Sequence, residues 1–78
     1  MCKIMLNSVD RVKKFVNETT KVEGDIFLQS DRYVVDAKSI MGIFSLDLTN
    51  PLKINFEKCS DEEKNQYLAR IHQFIVNG

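Results

Sequence analysis

The 78-residue sequence predicts an α+β fold in which helices cover one face of a β-sheet. Segments with a two-residue hydrophobic period alternate with segments of three- and four-residue period, in the order β-α-β-β-α-β-α. The strand-like segments are amphipathic, which is typical of a sheet with one buried face and one face in water. Two of the three helices are long enough to cover the buried face, so we expect a two-layer sandwich.

The composition is that of a single globular domain spanning residues 1–78. Apolar residues make up 44% and charged residues 28% of the chain, which is ordinary for a folded protein. Eleven basic residues balance eleven acidic ones, and this argues against direct nucleic-acid binding, which relies on a cationic surplus. The sequence shows neither an apolar run of ~20 residues nor a signal-peptide pattern, so we expect a cytoplasmic protein without membrane association.

The sequence contains no motif of an independent catalytic site. The glycine-rich phosphate-binding motifs and the zinc-protease and serine-hydrolase motifs are absent, and the chain has three glycines. Cys2 and Cys59 are too few for a disulfide framework and too widely spaced for a zinc site with the lone His72. We therefore expect reduced thiols, no metal, no cofactor and no enzyme activity.

The N-terminal part of the chain predicts a short strand followed by a helix. Residues 2–6, CKIML, alternate in hydrophobic character and indicate a half-buried strand. The period then lengthens, so an amphipathic helix is expected, with Asn7 or Ser8 as its N-cap and Gly24 beyond its end. Its apolar stripe comprises Val9, Val12, Phe15, Val16 and Thr19 or Thr20.

The middle of the chain predicts a hairpin and a further strand. Residues 25–30 and 33–37 are strand-like, and the short turn 30–32 between them favours a β-hairpin. Pro51 ends the segment that follows, because proline disfavours helical conformation at the residue before it. Residues 52–58 are the clearest strand, and its inward side chains are expected to be Leu52, Ile54 and Phe56.

The last helix is predicted to begin at a capping box formed by Ser60 and Glu63. Apolar residues then recur at helical spacing, so the helix is expected to continue to Ile75, before Asn77-Gly78 ends the chain. Its buried stripe comprises Leu68, Ile71 and Ile75, flanked by Tyr67 and Phe74.

Residues 37–46, AKSIMGIFSL, predict a short helix that is apolar on more than one side, with Ser39 as its N-cap. The side chains expected to face the core are Ile43, Leu46 and Leu48. The remaining apolar residues, here called the apolar patch, are Ile40, Met41 and Phe44. Both sets cannot face one sheet, so the patch is expected to be partly exposed and to bind another protein. The alternative is burial in a homodimer or under a neighbouring loop.

The element order, together with the stretch Lys38-Ser39-Ile40-Met41-Gly42, resembles the HPr family, the small phosphocarrier proteins of the bacterial phosphotransferase system. The resemblance extends from about the first helix to Ile75. It implies an open-faced β-sandwich, with a four-stranded antiparallel sheet and three helices on one face.

The chain departs from the family at the residue that carries the phosphoryl group. The family histidine lies in a Gly-apolar-His-Ala-Arg-Pro-Ala stretch at the start of the first helix, and Ser8 takes its place here. Asp10 stands in the place of the arginine and Arg11 in that of the proline. A serine phosphoester is a far poorer donor than phosphohistidine, and Asp10 repels a phosphate, although Arg11 partly offsets this. We expect no carrier activity at Ser8.

The same resemblance implies that Ser39 is a phosphorylation site. In family members the neighbouring patch docks the HPr kinase, the phosphotransferase enzymes and a transcription regulator. A phosphate adds a charge of roughly −1.5 to −2 at the positive end of a helix dipole, so the fold tolerates it. A purely structural N-cap would also explain the serine. Arg11 and Lys14 on the first helix would either extend the docking surface or form a solvated face.

Two main functions remain open. The first is a regulatory module of carbon-catabolite or phosphotransferase-system control, acting through Ser39 and the apolar patch; one branch of the family lacks the histidine and acts in this way. The second is a phosphocarrier with a displaced acceptor at His72, although such a lone histidine is more often a boundary residue. A degenerate relative that binds an unrelated protein through the same surface is a third possibility.

Overall fold

The computed structural model describes residues 2–76, which form an antiparallel five-stranded sheet with helices on one face. The elements are β1 Lys3–Ile4, α1 Val9–Thr19, β2 Asp25–Ser30, β3 Tyr33–Asp36, α2 Ile40–Phe44, β4 Leu52–Glu57, α3 Asp61–Arg70, a 3₁₀ turn at His72–Phe74 and β5 Ile75–Val76. The strand order is β3-β2-β4-β1-β5. The predicted α+β class is confirmed, and none of the helices in residues 2–76 is long and apolar enough to cross a membrane.

The C-terminal segment is the main departure from the predicted fold. The sequence predicts a helix that reaches Ile75 and a four-stranded sheet, but α3 ends at Arg70. Ile71 has φ −100° and ψ 15°, which leaves the helical region, and the chain enters the 3₁₀ turn. Ile75 then pairs with Ile4 of β1, because the free edge of β1 offers backbone donors and acceptors to a fifth strand. The predicted chain end at Asn77-Gly78 lies outside the described residues.

The same change alters which side chains of this segment are buried. Tyr67, Ile71 and Phe74 are fully buried. Leu68 and Ile75, which the helical pattern places in the buried stripe, are half-buried and pack against the core from its margin. The buried side of this segment is therefore formed by Tyr67, Ile71 and Phe74.

One hydrophobic core lies between the helices and the inward face of the sheet. The inward side chains of β4 are confirmed, with Leu52 and Ile54 buried and Phe56 half-buried. On α1, Val16 is half-buried and Val9, at the first position of the helix, is 54% exposed. The buried apolar residues are Ile4, Leu6, Val12, Phe15, Val22, Ile26, Leu28, Ala37, Ile43, Leu46, Leu52, Ile54, Tyr67, Ile71 and Phe74.

Local hydrogen bonds set the ends of the elements. The hairpin between β2 and β3 has a two-residue turn whose first residue, Asp31, has φ 49°, a conformation that Asp tolerates better than most residues. Ser60 caps α3 by accepting from the Glu63 amide at 3.1 Å. The Glu63 carboxylate accepts from the Glu23 amide at 3.3 Å. The glutamate of the predicted capping box therefore binds the loop between α1 and β2 instead.

Candidate functional site

Ser39 is the N-cap of α2, as the sequence predicts. Its backbone is extended, and its Oγ accepts a hydrogen bond from the Gly42 amide at 3.1 Å, which satisfies one of the free amides of the first turn. A Cβ at position 42 would lie 3.1 Å from this Oγ and 3.3 Å from the Cβ of Val35. Glycine at this position therefore leaves room for the hydroxyl group of Ser39.

The residues that precede Ser39 hold it in place. The Asp36 carbonyl accepts from the Ser39 amide at 3.0 Å, and the Asp36 carboxylate accepts from the Lys38 amide at 2.8 Å. The Lys38 Nζ donates to the carbonyls of Val22 and Gly24, at 2.6 and 3.1 Å. Lys38 therefore ties the Ser39 loop to the α1–β2 connection. This role could not be predicted from the sequence, because every residue type has a backbone carbonyl.

The apolar patch is divided between the surface and the edge of the core. Met41 is 77% exposed and Phe44 is 41% exposed. Ile40 is half-buried and packs against the core. Ile43 and Leu46 are buried as expected, and Leu48 is half-buried against the core. The prediction of a buried and an exposed side for α2 is therefore confirmed, with Ile40 between them. Binding of a partner by this patch stays a prediction.

Ser8 and Arg11 form the start of α1. Ser8 is exposed, and its Oγ accepts from the Arg11 amide at 3.2 Å. The Arg11 guanidinium donates to the Met5 carbonyl from Nε at 3.1 Å and from Nη2 at 2.9 Å, and Nη2 also contacts the Gln73 carbonyl at 3.4 Å. It lies 5.0 Å from the centroid of the Phe74 ring. Arg11 therefore links the start of α1 to Met5, the residue after β1, and to the 3₁₀ turn.

The other charged residues of α1 and the lone histidine lie on the surface. Lys14 is exposed. Glu18 accepts from Lys21 at 3.2 Å and from Arg70 at 3.0 Å, which links α1 to α3. His72 is exposed in the 3₁₀ turn, next to the residue whose carbonyl Arg11 contacts. Roles for Arg11, Lys14 and His72 in binding or phosphoryl transfer stay predictions.

The two thiols are free and half-buried. Burial raises the pKa of Cys2 and of Cys59, and the carboxylate of Glu63 raises that of Cys59 further. A raised pKa lowers the thiolate fraction, and the thiolate is the reactive form. Within the part of the chain that the structure describes, no cluster of three His, Cys, Asp or Glu side chains is placed to hold a metal ion.

Comparison with known proteins identifies the family. The family model described as the PTS HPr component phosphorylation site matches residues 11–77. The chain belongs to the HPr family. The matched region begins at Arg11 and so does not include Ser8, and the assignment of Ser8 to the place of the family histidine stays a prediction. No curated protein matches the sequence.

Solved structures agree with the HPr assignment. HPr-C-His from Thermoanaerobacter tengcongensis has a TM-score of 0.73 and 29% identity, over 90% of this chain and 81% of that one. Crh, a catabolite repression protein of Bacillus subtilis, has a TM-score of 0.66 and 26% identity, over 96% and 88%. The phosphocarrier protein HPr of Bacillus anthracis has a TM-score of 0.67 and 29% identity, over 87% and 88%.

Proposed function

We propose that this HPr-family protein is a regulatory module that binds other proteins through Ser39 and the apolar patch. The observation that carries the proposal is the position of the Ser39 hydroxyl at the start of the same short helix that exposes Met41 and Phe44. A phosphate on Ser39 would give a partner an anion to recognise beside an adaptable apolar surface. The similarity to Crh, described as a catabolite repression protein, supports this choice.

The start of α1 supports a regulatory role over a carrier role. A phosphocarrier needs a nucleophile that passes its phosphoryl group on readily, and Ser8 would form a stable ester. Asp10 is exposed in the first turn, where its carboxylate would repel a phosphate. The Nε and Nη2 of Arg11 both donate to the Met5 carbonyl, so the guanidinium does not replace the cation that would hold the anion.

The partners that fit the proposal are an HPr kinase that modifies Ser39 and a transcription regulator or phosphotransferase enzyme that reads the result. Each would bury Met41 and Phe44, while Lys14 and Arg11 would supply positive charges at the rim. Rim charges of this kind mainly affect association rates and specificity. The affinity would come chiefly from the apolar contact.

Phosphorylation by an HPr kinase and ATP tests the proposal. The wild-type protein should take up one phosphate, and Ser39→Asn should take up none. Asparagine keeps an oxygen that can cap α2 but has no hydroxyl to modify, so this variant separates the loss of the acceptor from the loss of the cap. Ser45→Ala, at an exposed position of the same segment, is the matched control and should be labelled normally. Equal labelling of wild type and Ser39→Asn would remove the regulatory claim.

A phosphocarrier function with His72 as the acceptor is the second candidate, because His72 is exposed. It requires an acid-labile label after incubation with the upstream phosphotransferase enzyme and phosphoenolpyruvate. His72→Gln should abolish that label, whereas Ser39→Asn should leave it unchanged. A label that survives in His72→Gln would exclude this candidate.

A further inference from the structure

The face of the sheet opposite the helices carries a cavity between two lysines. The cavity has a volume of about 230 Å³ and is lined by Lys3, Gln29, Asp31, Pro51 and Lys53. Lys3 of β1 stands directly opposite Lys53 of β4, and Lys53 stands opposite Gln29 of β2. Directly paired residues project to the same face of a sheet, so these three side chains form a row across β2, β4 and β1.

The charges in this row are poorly balanced within the protein. Like charges that stand directly opposite each other in an antiparallel pair are destabilising. Both lysines are half-buried, and the ion pairs within residues 2–76 involve neither of them. The carboxylate of Asp31 lines the same cavity and offsets one of the two positive charges. The cavity therefore keeps a surplus of one positive charge that a bound anion would compensate.

Gln29 contributes a neutral donor with a fixed orientation. The Asn55 Nδ2 donates to the Gln29 Oε1 at 3.1 Å, so the amide nitrogen of Gln29 is directed away from Asn55. The Gln29 Nε2 makes only a 3.5 Å contact with the Asp31 carbonyl. Hydrogen bonds of this kind are usually 2.7–3.2 Å, so this N–H group remains available to a closer acceptor.

We propose that this cavity is a binding site for a small phosphate dianion. The ammonium groups of Lys3 and Lys53 would each contact an anionic oxygen, and the Gln29 amide would donate to a third. Charge-assisted hydrogen bonds to phosphate are among the stronger polar contacts available to lysine. The cavity is smaller than the roughly 300–1,000 Å³ of drug-sized sites, so it suits inorganic phosphate or a short phosphate monoester. The site shares no residue with Ser39 or the apolar patch.

Titration of the ¹⁵N-labelled protein with inorganic phosphate, and separately with glycerol 3-phosphate, tests the site. Saturable shifts should appear at the amides of Lys3, Gln29 and Lys53, and the tighter of the two ligands identifies free phosphate or a monoester as the source. Lys53→Gln should weaken binding roughly three- to tenfold, the range expected for one charge-assisted hydrogen bond on a surface. Lys13→Gln, at an exposed position on α1, makes the same charge change and should bind as wild type.

Three outcomes would overturn the proposal. These are shifts that grow without saturation, shifts that are largest at the start of α1, and unchanged affinity in Lys53→Gln. Thermal unfolding supplies a second measurement that does not depend on the shifts. Without phosphate, Lys53→Gln should be as stable as wild type or more stable, because it removes the repulsion with Lys3. With phosphate, its melting temperature should rise less than that of wild type; an equal rise would count against the site.

Discussion

Thr19 and Tyr67 join α1 to α3 inside the core by one buried hydrogen bond. The Thr19 hydroxyl donates to the Phe15 carbonyl at 2.7 Å, and the same oxygen lies 2.7 Å from the Tyr67 hydroxyl. Since Thr19 has one hydrogen to donate, the Tyr67 hydroxyl must be the donor to Thr19. Burial raises the pKa of Tyr67 above its ordinary value. An ionised Tyr67 would lose its donor in a site that excludes water.

This arrangement predicts a loss of stability at high pH. The unfolded chain releases the Tyr67 proton near pH ~10, whereas the folded protein keeps it to a higher pH. The stabilising effect is therefore complete below pH ~10 and is lost as the pH rises toward the raised folded-state pKa. Urea unfolding of wild type and Tyr67→Phe at about pH 8 and about pH 11 measures this change in the free energy of unfolding.

The variant separates this effect from general alkaline unfolding. Tyr67→Phe should be less stable by about 1 kcal/mol at neutral pH, the usual cost of one hydrogen bond, and should show a shallower decline with pH. Tyr33→Phe is the matched control, because Tyr33 is 66% exposed, and it should follow wild type. Parallel declines in wild type and Tyr67→Phe would contradict the prediction.

Among the elements, the 3₁₀ turn is joined to the start of α1 through Arg11. The Met5 amide donates to the Phe74 carbonyl at 2.9 Å. Arg11 donates to the Met5 carbonyl and contacts the Gln73 carbonyl at 3.4 Å. Stacking on the Phe74 ring adds a cation–π contact. The guanidinium thus connects the N-terminal and C-terminal parts of the described chain.

Removal of the guanidinium should loosen this junction without unfolding the protein. Arg11→Met should cost about 1–3 kcal/mol, because it removes both charge-assisted hydrogen bonds to the half-buried Met5 carbonyl. Lysine lacks the planar fork of donors, so Arg11→Lys should recover only part of this loss. Hydrogen exchange at the Met5 amide is the direct measurement, with Lys13→Met as the exposed control. Wild-type protection of Met5 in Arg11→Met would show that the guanidinium does not hold the turn.

The same elements show which structural features can be predicted from the sequence. α1, the β2–β3 hairpin and β4 follow from hydrophobic period and cap residues within their own segments, and all three form as predicted. Residues 71–76 also fit a helical period, but the structure places residues 72–74 in a 3₁₀ turn and pairs Ile75 and Val76 with β1. That pairing is non-local, so no local pattern carries it.

In the candidate site, too, local features could be predicted from the sequence and contacts between distant segments could not. The N-cap role of Ser39 and the exposure of Met41 follow from the composition of one short helix, and both could be predicted. Lys38 donates to the backbone carbonyls of Val22 and Gly24. Arg11 likewise donates to a backbone carbonyl of another segment. Every residue has such a carbonyl, so the sequence alone cannot identify the partner.

In the molecule as a whole, the two proposed sites lie on opposite sides of the sheet. Lys3 and Lys53 project from the face that the helices leave open, because their neighbours Ile4 and Leu52 point into the core. α2 lies in the helical layer, where Ile43 joins that core. Since the sheet and the core separate the two surfaces, substitutions in one should not affect the other.

Two single substitutions test this independence. Met41→Glu places a charge in the apolar patch. It should lower the efficiency of Ser39 phosphorylation about tenfold or more, because the kinase would lose the apolar contact that buries Met41 in the complex. Its affinity for inorganic phosphate should equal that of wild type. Lys53→Gln should show the reverse, with normal phosphorylation of Ser39 and weaker phosphate binding. Met41 is 77% exposed, and Lys53→Gln removes a repulsion with Lys3, so neither change should lower the melting temperature by more than a few degrees. If either variant altered both activities, the two surfaces would be coupled through the sheet, and the assignment of separate sites would be wrong.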